Sequence, residues 1–271
     1  MGTIADKTYK LKSGYEMPVL GLGTWELNGS TCERIIRQAV EMGYKLIDTA
    51  EMYENENQVG KALKGLDRDK LFITSKVDRA HLRKKDVPAT CKKTLKDLRT
   101  DYLDLYLIHW PNDEIPIAET MEAMGQLVEN GFVRSIGLSN FNVERAKAAI
   151  EASEVPICVD QVEYHPLTKR KGIPDFCESQ GINLTAYCPI ARGKVKDVET
   201  IVEIGNKYGR SAVQVSLKWL IQKGHSVIPK AGTEEHLKAN MDLAGWELTQ
   251  EEISAIDNID VEKRLVDSQY T

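Results

Sequence analysis

The chain has 271 residues, 42% hydrophobic and 28% charged, a balance that supports a buried core and excludes disordered, collagen-like and low-complexity architectures. Lys and Arg number 36 against 41 Asp and Glu, so the net charge of −5 offers no bulk positive field and a nucleic-acid partner is not expected. The five cysteines (Cys32, Cys91, Cys158, Cys177 and Cys188) are odd in number and scattered, with no C-x-x-C pair, which reads as reduced thiols in a cytoplasmic protein.

The first residues, Met1 to Lys7, hold no apolar signal core, and no stretch approaches the roughly 20 apolar residues that span a membrane, so no membrane partner is expected. The sequons at Asn28-Gly29-Ser30 and Asn183-Leu184-Thr185 are read as chance matches.

In chain order, Tyr9-Lys10-Leu11 and Met17-Pro18-Val19 around Lys12-Ser13-Gly14 predict a β-hairpin. Short β-branched runs then predict strands over 45–48, 71–76, 103–109, 133–139, 158–163, 183–187 and 226–230. Between them, apolar residues at i, i+3, i+4 and i+7 predict helices over 90–98, 117–129, 143–152 and 212–222. Trp246-Glu247-Leu248, before a helix starting at Thr249, supplies a short eighth strand. No Pro/Gly/Ser-rich linker splits the chain, so residues 1–271 read as one domain, an α/β (β/α)8 TIM barrel whose N-terminal β-hairpin closes the bottom. An open doubly wound sheet is the alternative on rhythm alone.

Parallel barrels carry their chemistry where strands end. Here the runs end on Asp48, Lys76, His109, Ser139 with Asn140, Gln161 with Glu163, Tyr187 and Lys230. One polar terminus often means only that the chain has reached water; a series holding a base, a cation, carboxylates and amides points to a site.

The run from Gly43 to Glu56, followed by Val59-Gly60, resembles a signature of the aldo-keto reductases, and so do Val133 to Phe141 and Leu103 to Pro111. Gly21-Leu22-Gly23-Thr24-Trp25, Asp160 to His165 and Tyr187-Cys188-Pro189 extend the resemblance over nearly the whole chain. Short connections after Pro111 and Pro189, and an end near Lys263 to Val266, make it similar to compact microbial members, which include 2,5-diketo-D-gluconate and methylglyoxal reductases.

The resemblance implies a catalytic tetrad of Asp48, Tyr53, Lys76 and His109. A free phenol, with a pKa of about 10, is a poor acid near neutrality, so an adjacent Lys76 ammonium is expected to stabilise the phenolate, with Asp48 keeping Lys76 charged. His109 is expected to donate to the carbonyl oxygen, a role that needs position more than charge.

No G-x-G-x-x-G opens a helix, which weakens a Rossmann reading. By resemblance, Ser139, Asn140 and Gln161 hold the nicotinamide carboxamide and Tyr187 stacks on its ring, with Gly23, Thr24, Asp48, Pro189 and Ile190 also at the cofactor. Lys230, Ala231, Gly232, Thr233, His236 and Asn240 are expected around the adenosine phosphate, where Thr233 is a plausible N-cap and helix amides meet a cation. The family pattern there is Lys-Ser, an Arg, then Glu-Asn; this chain has Ala231, His236 and Ala239 in place of the Ser, Arg and Glu. Histidine cannot form arginine's bidentate fork, and Glu234 and Glu235 would repel a phosphate. The expected cofactor is NADPH with a preference weaker than the family norm, NADH being possible.

Trp25, Met52, Trp110 and Ile190 are expected to line an open, apolar mouth beside His109. It suits small carbonyl substrates, aldehydes, α-dicarbonyls and some keto sugars, with broad specificity. Two other readings compete: an NADP(H)-binding redox sensor with little turnover, and a metal-dependent hydrolase using His109 and His165. The charge runs Arg83-Lys84-Lys85 and Lys169-Arg170-Lys171 read as solvated, and a monomer is implied by resemblance only.

Overall fold

A computed structural model describes residues 3–168, 170 and 172–266. The hairpin strands β1 (Thr8–Lys10) and β2 (Glu16–Pro18) come first and pair antiparallel. The chain then runs β3 (Gly21–Gly23), α1 (Gly29–Glu41), β4 (Leu46–Asp48), α2 (Glu56–Leu63), β5 (Phe72–Val77), α3 (Asp86–Leu98), β6 (Leu105–Ile108) and α4 (Ile117–Glu129). It continues through β7 (Ile136–Ser139), α5 (Val143–Glu151), β8 (Ile157–Glu163), α6 (Ile173–Ser179), β9 (Asn183–Tyr187), α7 (Glu199–Tyr208), α8 (Ala212–Gln222), β10 (Ser226–Val227), α9 (Glu234–Met241) and α10 (Gln250–Asp257).

Strands β3 to β10 pair in sequence order, each parallel to the next. Parallel bridges Leu20–Val227 and Gly23–Lys230 bring the two outer strands together, with the Val227 amide donating to the Val19 carbonyl at 2.8 Å. The result is an eight-stranded, nearly closed (β/α)8 barrel, the expected TIM architecture.

The eighth strand, however, is β3 rather than Trp246-Glu247-Leu248. The Leu248 backbone exchanges hydrogen bonds with the side chain of Gln222 on α8 (2.8 and 3.0 Å), and Trp246 packs on the Tyr208 ring, so this segment lies outside the barrel wall. β3 is inconspicuous because it has one apolar side chain between two glycines. Those glycines have a steric cause: a Cβ on Gly21 would stand 2.5 Å from the Leu46 side chain, and one on Gly23 would stand 2.6 Å from the Ile228 carbonyl oxygen.

Period-two alternation divides the strand residues between two cores. Leu46, Phe72, Leu105, Leu107, Val159 and Ile228 fill the barrel interior, and Leu11 and Met17 from the hairpin join them. Ser13 at the hairpin tip shares a 2.7 Å hydrogen bond with Ser135, just before β7, so the hairpin covers the N-terminal end as expected. The alternate residues Ile47, Ile73, Tyr106, Ile108, Leu138 and Val162 pack outward against the apolar stripes of the helices. Arg83 and Lys84 pair with Glu119 and Glu122 on α4, whereas Lys169 and Lys171 lie outside the described residues.

One polar residue sits uncomfortably in the outer core. Asp160 on β8 is buried, its Oδ1 has no hydrogen-bond partner, and burial pushes its carboxyl up to about 7, with Arg170 and the Phe141 amide only partly opposing the rise. A folded-state pKa above the unfolded one means the native state holds the extra proton, so this group's contribution falls as pH rises from about 4 through 7. Asp160→Asn removes that dependence. Relative to wild type, its stability by urea unfolding should improve by about 2 kcal/mol between pH 5 and pH 8; an unchanged difference would show that Asp160 does not titrate in this way.

Candidate active site

The alternation that fills the barrel interior carries on to its C-terminal rim, where the inward positions become polar. Asp48 ends β4, Lys76 lies on β5, His109 follows β6, Ser139 ends β7, Gln161 lies on β8 and Tyr187 ends β9. Lys76 is fully buried; its ammonium donates to Asp48 Oδ1 at 2.6 Å, to the Thr49 carbonyl at 2.8 Å and to Tyr53 Oη at 3.3 Å. Removing one partner of such a buried pair costs roughly 3–5 kcal/mol.

Tyr53 arrives on a single 3-10 turn, Glu51–Tyr53, ended by Glu54 at φ 54°. The turn is anchored by a residue the sequence reading did not single out, the buried Asn55. Its amide donates to the carbonyls of Thr24 (2.8 Å) and Leu27 (2.9 Å), and its Oδ1 accepts from the Thr49 hydroxyl (2.7 Å). A buried Asn that satisfies two loops at once fixes their relative position. Its only signal in the sequence is an amide placed just after the tyrosine.

The His109 ring lies edge-on to Tyr53, with centroids 5.6 Å apart, and its Nδ1 has no protein partner. Burial, reinforced by the Lys76 charge, holds His109 well below the usual histidine range, so it is neutral at pH 7. Burial also lowers Lys76, against the pull of Asp48. The Tyr53 phenol is pushed well above its ordinary value by burial first, then by Asp48 and Cys188. The neighbouring Lys76 charge is expected to stabilise the phenolate; in the pocket itself desolvation sets the direction, and Tyr53 keeps its proton.

The remaining rim residues form one hydrogen-bonded set. Gln161 Nε2 donates to Asp48 Oδ2 (2.7 Å), Ser139 Oγ to the Gln161 carbonyl (2.9 Å), and Tyr187 Oη to Asn140 Oδ1 (2.7 Å). Asn140 Nδ2 donates in turn to the His109 carbonyl (3.0 Å), from a left-handed backbone with φ 65°. Thr24 stands beside this set. It is fully buried and gives both its amide and hydroxyl hydrogens to the Asp48 carbonyl (3.0 and 2.9 Å), fastening β3 to β4. Gly23 lies in the same wall, and buried Pro189 accepts from the Ser216 hydroxyl (2.6 Å) ahead of half-buried Ile190.

At the seam, the Lys230 ammonium lies 3.0 Å from Glu26 Oε2. Ala231 is buried, Gly232 has open space around it, and Thr233 caps α9 by accepting from the His236 amide (3.3 Å). The His236 side chain is exposed on the first turn of α9, while Asn240 is buried on its last turn beside Tyr44. Two of the large apolar side chains left exposed, Trp25 (39%) and Met52 (47%), were both expected at the mouth. Trp110 is half-buried 6.3 Å from the His109 ring, and the Arg192 guanidinium covers Trp25 at 5.0 Å.

His109 and His165 do not form a ligand pair. His165 is fully buried against Glu163 (3.0 Å), and Glu163 also accepts from the amides of Leu265 (2.7 Å) and Val266 (3.0 Å), tying the end of the described chain to the rim. Among the described residues no group of three or more His, Cys, Asp or Glu is placed to hold a metal ion, and no helix is long and apolar enough to cross a membrane.

The model of the Aldo/keto reductase family matches residues 19–261. Glyoxal reductase of Bacillus subtilis (strain 168) is 38% identical over 268 residues, covering 98% of this chain and 97% of that protein. NADPH-dependent D-xylose reductase of Meyerozyma guilliermondii is 33% identical, covering 94% of each. The crystal structure of the thermostable aldo-keto reductase Tm1743 in complex with the inhibitor epalrestat is 41% identical, with a TM-score of 0.88 over 93% of this chain and 98% of that one. With the barrel, the rim and these likenesses agreeing, the chain belongs to the aldo/keto reductase family and is an oxidoreductase of the kind that reduces carbonyl groups with NAD(P)H.

Proposed function

We propose that the chain reduces small aldehydes and α-dicarbonyls to alcohols, with NADPH preferred over NADH and with Tyr53 as the general acid. The observation that carries this reading is the buried relay in which Asp48 holds the Lys76 ammonium at 2.6 Å and Lys76 in turn reaches Tyr53 Oη at 3.3 Å.

The residues at the rim fit a nicotinamide cofactor. The half-exposed Tyr187 ring offers a flat apolar face, and Ser139, Asn140 and Gln161 flank it. Lys230, the open space at Gly232 and the first amides of α9 suit an anionic group. When bound, the reduced cofactor supplies the hydride.

Tyr53, protonated through the neutral range, gives its proton to the carbonyl oxygen as that oxygen gains negative charge. The phenolate left behind faces the Lys76 ammonium, which is where the attraction between the two lowers the barrier. Asp48 keeps that ammonium charged and aimed. Neutral His109 can donate one ring N–H to the same oxygen, orienting the substrate without competing as an acid. Trp25, Met52 and Trp110 supply an apolar border on the substrate side.

Tyr53→Phe should lower kcat with methylglyoxal by about 100-fold or more, while NADPH binding, followed by cofactor fluorescence, stays within about two-fold. Retention of a tenth or more of wild-type kcat would remove Tyr53 from the acid role. A wild type that binds NADPH tightly yet turns over none of several small aldehydes would favour the redox-sensing reading. Because both His109 and Tyr53 keep one protonation state near neutrality, kcat/KM should be flat from about pH 6 to pH 8.

The preference for NADPH should be modest, and His236→Arg should raise kcat/KM for NADPH by about ten-fold through a bidentate phosphate contact. Equal or better efficiency of the wild type with NADH would overturn the preference.

A further inference from the structure

The loop from β3 to α1 carries a feature that the tetrad does not use. Glu26 sits in the left-handed region at φ 59°, uncommon for a residue with a side chain, and its carboxylate meets Lys230 at 3.0 Å across 204 residues of sequence. The contact follows from the seam: Gly23 and Lys230 bridge in register, so the residues just beyond them emerge together at the rim. The Arg192 guanidinium on the neighbouring Trp25 ring helps hold the same loop in place.

Charges around the start of α9 make this pair consequential. Glu234 is joined to Lys238 at 2.7 Å, which neutralises that lysine. Glu235 lies in the first turn with its carboxyl held down by its own backbone amide and by Thr233, so it is anionic. Ala231 offers no hydroxyl, and the His236 imidazole cannot form an arginine's bidentate fork. Among the described residues at the start of α9, Lys230 is therefore the cation best placed to meet a phosphate, and Glu26 already pairs with it.

We infer that Glu26 is a specificity-determining residue of the cofactor site: its carboxylate competes with the 2′-phosphate of NADPH for the Lys230 ammonium and so narrows the discrimination between NADPH and NADH. The inference rests on the cofactor reading given above. A phosphorylated cofactor must displace Glu26 from Lys230 or sit beside its negative charge, and either way it gains less from the lysine than a free ammonium would give. An unphosphorylated ribose meets no such conflict, since a carboxylate accepts from a 2′-hydroxyl and repels a 2′-phosphate.

The test uses the full chain at low ionic strength and measures binding by calorimetry, with adenosine 2′,5′-bisphosphate and 5′-AMP as probes. Wild type, Glu26→Gln, Lys230→Met and the double variant form a cycle. Glu26→Gln is close in size to glutamate and lies at an exposed position, so folding should be retained, which a thermal melt checks. It should tighten the bisphosphate by about three- to ten-fold, the order set by freeing one exposed ion pair and removing one repulsion, and leave 5′-AMP within about two-fold. In the Lys230→Met background most of that gain should vanish.

Equal tightening of both probes would overturn the inference in favour of a general charge effect. So would no change in either, or a gain that survives intact without Lys230. If the wild type binds neither probe nor NADPH, the cofactor reading itself fails, an outcome separate from all of these.

Discussion

A lysine ammonium with no exposed surface stays charged only if a counter-charge is held against it, and much of the rim is arranged around that need. Desolvation alone lowers the Lys76 pKa, so the ion pair with Asp48 decides whether the ammonium exists. Asp48 is shared: one carboxylate oxygen takes Lys76, the other takes Gln161. Through Gln161 the pair reaches Ser139, and Asn140 beside it links the His109 carbonyl to the Tyr187 hydroxyl. A displacement of Asp48 would therefore disturb the proposed acid and the proposed ring platform together, because both are oriented by hydrogen bonds that trace back to one carboxylate.

The same pocket shows how burial can invert an expectation drawn from neighbours. Lys76 beside a phenol suggests a lowered pKa, yet Lys76 is fully buried and Tyr53 half-buried, and desolvation, with Asp48 and Cys188 nearby, pushes the phenol up in the resting protein. The proposed acid role needs that arrangement: the proton would stay on Tyr53 until an oxygen of higher basicity formed next to it, and the lysine would act on the anion that results.

The barrel and its rim were largely legible in the sequence, since β4 to β9 each bury apolar residues at alternate positions and then turn polar where they meet the mouth. Asp48, Lys76, His109, Gln161 and Tyr187 stand out for that reason, being polar at positions where the alternation calls for an inward side chain. What was hidden has a common cause. β3 is recognisable only by the atoms that press on its glycines, and Trp246 and Leu248 mimic a strand while packing on helices. Asn55 and Glu26 act through loops, and Glu26 meets its partner only when the barrel closes. Side chains whose role depends on long-range closure leave no local period to read.

The closure at Leu20–Val227 and Gly23–Lys230 has a consequence for synthesis. The first wall strand meets its neighbour on one side within about 25 residues of chain, but its other side waits for a segment more than 200 residues later. During translation the growing sheet consequently carries two unpaired parallel edges, the form in which strands recruit the wrong partner. A three-residue first strand of Gly-Leu-Gly exposes little backbone and one apolar side chain during that wait. The steric demand that calls for glycine in the finished wall thus also makes its waiting edge a poor template for aggregation.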